Sequence, residues 1–400
     1  MSDTPKVVFK TGSRPGIIIL ALILMIPALA AFFTDHEARS SWENRPLASW
    51  SSVREAESAK QLFSSLEDYL DDHIGFALAL NRIYRQVQFY LFADSPIANV
   101  NLGEDDFVFL NAHGVNHPYA QLVQLCEPRP YQVTRSKKAI ETLAHVLAER
   151  QIRMTFAVVP SKPVLYPDRL PDTVPRHIRE ACLGLNPEDN IPGQLVQRLR
   201  AAPLQVYYPV ETMIALRDEK EFYPPQNFHA NSMINHVFAQ GLLLELGIEP
   251  GNQYSDGAHL TKIKADMTML GFEREATAWS YPYFAYQVEK QFQEPQWVLK
   301  TYERAQDFFT YTTGNPASGR TAILLSNSFG AYIAPHLAPG FKTLYHINLV
   351  NLRAGEARPF FEDLIAKTRP TEVIYLLHDG ALPNQQLEML ANGIKPLQKP

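Results

Sequence analysis

Ser328 closes the stretch Leu324-Leu325-Ser326-Asn327-Ser328-Phe329-Gly330, in which an apolar run stops at small polar residues and a helical run begins at Phe329. A serine on such a strand-to-helix turn projects its hydroxyl from a sheet edge, where it can act as a nucleophile. The start of the following helix directs backbone N–H groups at an oxyanion, with Ser328 and Phe329 as the candidate donors. That is the chemistry of acyl transfer, and it needs a histidine to take the serine proton. A serine that merely caps its helix reads the same way, and S-N-S lacks the glycines of a nucleophile elbow.

Two histidines are candidates for that base. His229 lies in Tyr223-Pro224-Pro225-Gln226-Asn227-Phe228-His229, just before a helical run that starts near Ser232. Asn227, two residues earlier, could orient the imidazole but brings no negative charge. The rival is Asp256-Gly257-Ala258-His259, where one loop carries both an acid and a base, although Asp-Gly is also a strong turn signal. His378-Asp379-Gly380 closes a strand and reads mainly as a turn. Asp71-Asp72-His73 reads as a polar helix face, and His113 and His117 read as loop polar groups without an identifiable serine or metal partner. No CxxC spacing is present, so neither a metal nor another cofactor is expected.

Short apolar strands alternating with helices must position these residues. The pattern predicts helices over 136–150, 191–199, 232–246, 329–337 and 356–367. It predicts strands over 154–159, 204–208, 321–325, 343–350 and 373–377. Such alternation implies a mostly parallel sheet covered on both faces, with ligands beyond the carboxyl ends of the strands. Pro160, Ser326 and His378 fall at those ends. Upstream, residues 59–91 have helical periodicity, and 99–110 read as a hairpin around Gly103-Glu104-Asp105-Asp106. The expected organisation is a tail and anchor over 1–35, a lead-in over 36–110, and an α/β domain over 111–400.

The chain has 400 residues and a formal charge of −5, which gives no sign of a nucleic-acid partner. Residues 16–33 carry no charge, with Lys6, Lys10 and Arg14 before them and Asp35 and Glu37 after. The positive-inside rule places the N-terminus in the cytoplasm and the rest outside, on a single span of the inner membrane. Cleavage after Ala28-Leu29-Ala30 is the alternative, and it exports the same domain. The two cysteines, Cys126 and Cys182, suit either one disulfide or two buried thiols.

Several segments together resemble the SGNH-hydrolase-like O-acetyltransferases of bacterial exopolysaccharide export, of the alginate-acetylation AlgJ/AlgX type. The resemblance rests on residues 43–48 (ENRPLA), 69–76 (YLDDHIGF), 100–110 (VNLGEDDFVFL), 159–167 (VPSKPVLYP) and 266–271 (DMTMLG), with the serine segment following in order. It implies a three-layer, flavodoxin-like α/β domain and a periplasmic acetyltransferase. Its acceptor would be a polysaccharide, and its donor group would come from a membrane-bound O-acyltransferase. It carries the base onto His229 and the nucleophile onto Ser328. The family's acid position falls on Asn227, Ala230 replaces a tryptophan, and Ser326-Asn327 replace a Gly-Asp or Gly-Thr pair. A non-catalytic relative that binds polysaccharide or scaffolds an export complex is therefore the alternative. Tyr223, Trp279, Tyr281 and Tyr283 are its candidate sugar-stacking residues.

Overall fold

The computed structural model describes residues 25–26, 29–30, 47–92, 95, 100–110, 130–172, 174–183, 191–200, 204–229, 233–249, 259–266, 275–280, 288–292, 308–382 and 384–394. The chain forms two compact units, Met1–Pro96 with Thr268–Phe272, and Ile97–Met267 with Glu273–Pro400. Cys126, His113, His117, Asp256, Tyr281 and Tyr283 lie outside the described residues.

The first unit contains helices α1 (Trp50–Arg54), α2 (Ala59–His73) and α3 (Ala77–Phe92). Periodicity alone suggests one helix across 59–91. The chain breaks it at 74–76, where Ile74 turns extended and Phe76 takes a positive φ of 64°. Asp72 belongs to the interior rather than to a polar face, because its carboxylate accepts the Ala48 N–H at 2.7 Å. Of residues 16–33, only Met25, Ile26, Leu29 and Ala30 are described, all helical. Among the described residues, no helix is long and apolar enough to cross a membrane.

The second unit opens with the expected hairpin, β1 (Val100–Leu102) antiparallel to β2 (Val108–Leu110). Helix α4 (Pro130–Ala148) leads into β3 (Arg153–Val159) and the one-turn α5 (Lys162–Leu165). Helices α6 (Arg176–Leu183) and α7 (Ile191–Arg200) precede β4 (Gln205–Tyr207), α8 (Val210–Leu216) and α9 (Met233–Glu245). The sequence pattern assigns no element between 247 and 320. That stretch supplies a separate antiparallel ribbon of β5 (His259–Lys264) and β6 (Glu275–Ser280), and two sheet strands, β7 (Val288–Phe292) and β8 (Phe308–Thr313). Then follow β9 (Thr321–Ser326), α10 (Phe329–Leu337), β10 (Thr343–Asn348), α11 (Ala357–Thr368), β11 (Glu372–His378) and α12 (Gln385–Ile394).

The seven-stranded sheet has the order β4-β3-β11-β9-β10-β8-β7. The first five strands run parallel, and β8 and β7 close one edge antiparallel. Buried on both faces, the parallel strands are nearly continuous apolar runs whose alternate side chains enter two cores. Phe156, Val158, Ile323, Leu325, Val373 and Tyr375 pack under α4, α7, α11 and α12. Ala157, Val159, Leu324, Ile374 and Leu376 pack under α9 and α10. This is the mixed three-layer architecture that the alternation implies.

Strands β3, β11 and β9 are parallel neighbours, so Pro160, His378 and Ser326 fall at the same carboxyl end of the sheet, with Ser326 opposite Leu376 and His378 opposite Val159. There Ser326 is buried and donates to the Asn327 carbonyl at 2.8 Å, with His346 Nε2 2.9 Å from its hydroxyl. Helix α10 starts directly over this serine. A Cβ on Gly330 would lie 1.8 Å from Ser326 Oγ and 2.8 Å from His346 Nε2, so only glycine fits. Gly330→Ala is expected to cost about 1–3 kcal/mol by overpacking, read as a lower urea midpoint. Adding Ser326→Gly removes the two closest blocking atoms, Oγ and Cβ of Ser326, and leaves His346 Nε2, so it should recover part of that loss.

Candidate active site

Ser328 sits at the N-terminus of α10, exposed and already in helical geometry at φ −54° and ψ −27°. Its side chain makes no capping hydrogen bond. Asn327 does that work, with Oδ1 accepting the Phe329 N–H at 3.2 Å. The capping role considered for Ser328 is therefore filled by its neighbour. The same bond engages the Phe329 N–H, one of the two candidate oxyanion donors. The other is the N–H of Ser328 itself.

His229 lies against this helix start. Its ring centroid is 6.0 Å from that of Phe329 and 5.4 Å from that of Tyr332. Ser328 and Tyr332 are four residues apart and so share a helix face. The imidazole therefore flanks the turn that carries the serine. Phe329 in turn meets the His378 ring in a tilted contact, with centroids 4.5 Å apart, which joins the helix start to the end of β11.

The carboxylate beside His229 is that of Asp266, a residue quoted in sequence only as part of a scaffold motif. His229 Nδ1 lies 3.1 Å from Asp266 Oδ1 and 3.2 Å from Oδ2. The main-chain N–H groups of Phe228 and His229 also donate to Oδ2, at 2.8 and 2.9 Å. Burial pushes the Asp266 carboxyl up, but the contacts with His229 and the two N–H groups outweigh it. The group is held below the usual carboxylate range. An ionised Asp266 can only accept here, so it takes a hydrogen bond from Nδ1–H, the tautomer that leaves the Nε2 lone pair available to a base.

Asn227 is corrected by the same geometry. It is fully buried, and its Oδ1 accepts the Asp266 N–H at 2.9 Å. It orients the acid's backbone rather than the imidazole. The rival histidine, His259, is exposed on the β5–β6 ribbon and pairs in register with Ser280. Tyr223 is also corrected as a sugar-stacking candidate. It is buried, and its hydroxyl donates to the Pro160 carbonyl at 2.9 Å. No group of metal-ligating side chains occurs among the described residues.

Asp379, at the end of β11, serves the sheet edge instead of His229. Both of its oxygens lie 3.1 Å from the Ser161 N–H, and the Tyr208 hydroxyl donates to Oδ2 at 3.0 Å. These bonds tie the exits of β3, β4 and β11 together. Burial raises its pKa from 3.8 to about 6, against the hydrogen bonds that lower it.

The fold is similar to that of Bacillus cereus PatB1, with a TM-score of 0.52 at 14% identity over 72% of this chain and 98% of that one. PatB1 carrying a sulfonyl adduct matches with the same score and identity. The O-acetyltransferase domain of Pseudomonas putida AlgJ aligns with a TM-score of 0.45 at 13% identity, over 74% of this chain and 99% of that one. No protein-family model and no curated protein matches the chain. The likeness to PatB1 is one of fold, an α/β sandwich around a mostly parallel sheet.

The raised Asp379 pKa sets a direction for stability. The folded chain binds this proton more tightly than the unfolded chain, so the acid form is favoured by folding. Its contribution is complete at low pH, below the unfolded value, and is lost as pH rises through about 6. Asp379→Asn keeps an acceptor but cannot ionise. It should flatten the change in unfolding free energy between acid and neutral pH by on the order of 2–3 kcal/mol, measured by urea titration.

Proposed function

We propose that the protein is an exported, membrane-anchored O-acyltransferase that acts through an acyl-Ser328 intermediate. The observation that carries this reading is the Asp266–His229 pair set against the first turn of α10. The motif resemblance supplies the rest: acetyl as the group, a polysaccharide hydroxyl as the acceptor, and a membrane-bound O-acyltransferase as the source of the group. The uncharged segment 16–33 supports an inner-membrane anchor with the α/β unit in the periplasm.

His229 Nε2 takes the Ser328 hydroxyl proton as Oγ attacks the acyl carbonyl. The carbonyl oxygen becomes an oxyanion, held by N–H donors at the helix start that include that of Ser328. Collapse expels the donor's leaving group, which receives the proton from His229. The sugar hydroxyl then attacks the acyl-serine while His229 removes its proton. Ser328 departs with a proton returned from the imidazole, and an ester remains on the sugar. Asp266 stays ionised throughout and stabilises the imidazolium. Water in place of the sugar would make the same site an esterase.

Departure from the family at Asn227 favoured a non-catalytic protein. Asp266 supports catalysis instead, because it supplies the carboxylate that Asn227 lacks. A fluorophosphonate should attach to Ser328 of the full chain and not to the Ser328→Ala variant. Asp266→Asn should slow labelling strongly, toward the roughly 10⁴-fold loss that follows the same exchange in a serine protease triad. A Ser328→Ala strain should secrete polysaccharide with less O-acetyl. An unlabelled wild type together with unchanged O-acetyl content would leave the polysaccharide-binding or scaffold reading.

A further inference from the structure

Lys162 is a buried charge that the proposed reaction does not use. Strand β3 ends at Val159, and Pro160-Ser161 leads directly into it. Its side chain is 1% exposed. Nζ donates to the carbonyls of Pro224, Pro225 and Asn227 at 3.0, 2.5 and 2.8 Å. An ammonium has three N–H donors, and three oxygens take all of them. A neutral amine has only two and would turn its lone pair toward an oxygen. Burial lowers the ammonium's pKa well below its ordinary value, and the charges of Asp266 and Glu221 offset only part of that. The rings of Phe107 and Phe109, 4.5 and 5.6 Å from Nζ, also favour the cation.

The Pro224 and Pro225 carbonyls also accept the N–H groups of Asn227 and Val108, at 3.0 and 2.9 Å, and Lys162 joins these two carbonyls to that of Asn227 at one nitrogen. The loop is gripped at two further points by the segment around Lys162. The Tyr223 hydroxyl bonds to the Pro160 carbonyl, and the Phe222 N–H donates to the Tyr166 hydroxyl at 3.2 Å. Pro160, Lys162 and Tyr166 thus hold 222–227 together. From Asn227 the connection continues through its Oδ1 to the Asp266 N–H, and from the Asp266 carboxylate to His229.

We infer that Lys162 is a positioning residue for the His229–Asp266 pair, fixing the Pro224–Asn227 backbone from which the acid and the imidazole are both hung. The inference rests on the acyl-enzyme reading for its catalytic consequence, but not for its geometry. Two readouts test it on the full chain in detergent micelles with nitrogen-labelled histidine. The first is the downfield imidazole N–H resonance of His229, assigned by its loss in His229→Gln and Asp266→Asn. The second is the rate of fluorophosphonate attachment to Ser328.

Lys162→Met should remain folded by circular dichroism, lose or broaden that resonance, and label about 10²-fold more slowly, the cost of displacing a catalytic group by about 1 Å. If the methionine variant does not fold, Lys162→Gln, with two donors and no charge, carries the same expectation. A folded variant with the wild-type resonance and the wild-type labelling rate overturns the inference. If the wild type fails to label, the acyl-enzyme reading falls, and the resonance alone decides the role of Lys162.

Discussion

One carboxylate organises the site. Asp266 accepts the imidazole and two consecutive backbone N–H groups, so a single side chain sets both the direction of the His229 ring and the path of the chain that bears it. Hydrogen bonds to an ionised acceptor are the stronger kind, and here they more than offset the cost of taking the charge out of water. Asn227 completes the arrangement from the other direction by holding the Asp266 backbone. Acid and base are thereby locked together although they are distant in sequence.

The sheet edge supplies the rest of the frame. Three parallel strands deliver Pro160, His378 and Ser326 to the same carboxyl end, and α10 rises from the last of them. The close seat of Gly330 on Ser326 fixes where that helix begins, and so where Ser328 stands. Asn327 caps the helix and frees the serine hydroxyl from that duty. Asp379 clamps the same edge from within, through Ser161 and Tyr208.

Much of this frame was legible in the residues. Helix α10 runs from Phe329 to Leu337 as its composition implies, and the buried parallel strands are apolar runs that stop at polar residues. The stretch 247–320 was not legible, because β7, at the sheet's edge, and β8 beside it mix polar with apolar residues. The break between α2 and α3 escaped periodicity as well, since the apolar spacing carries on across Gly75-Phe76 while the backbone does not. Within the site, Ser328 and His229 could be picked out by type and local context. Asp266 could not, because its role depends on a contact across 37 residues that no local spacing encodes. The one available signal was its place in a motif read as scaffold. Asn227 misled for the converse reason: the motif resemblance puts an acid at its position, while its Oδ1 accepts the Asp266 backbone N–H.

An acid borrowed from a distant strand end has a consequence for how such chains are catalogued. A search pattern that requires aspartate two positions ahead of the histidine meets Asn227 here and stops. Such a pattern does not register a carboxylate that reaches Nδ1 from another segment, as that of Asp266 does; a spatial criterion does.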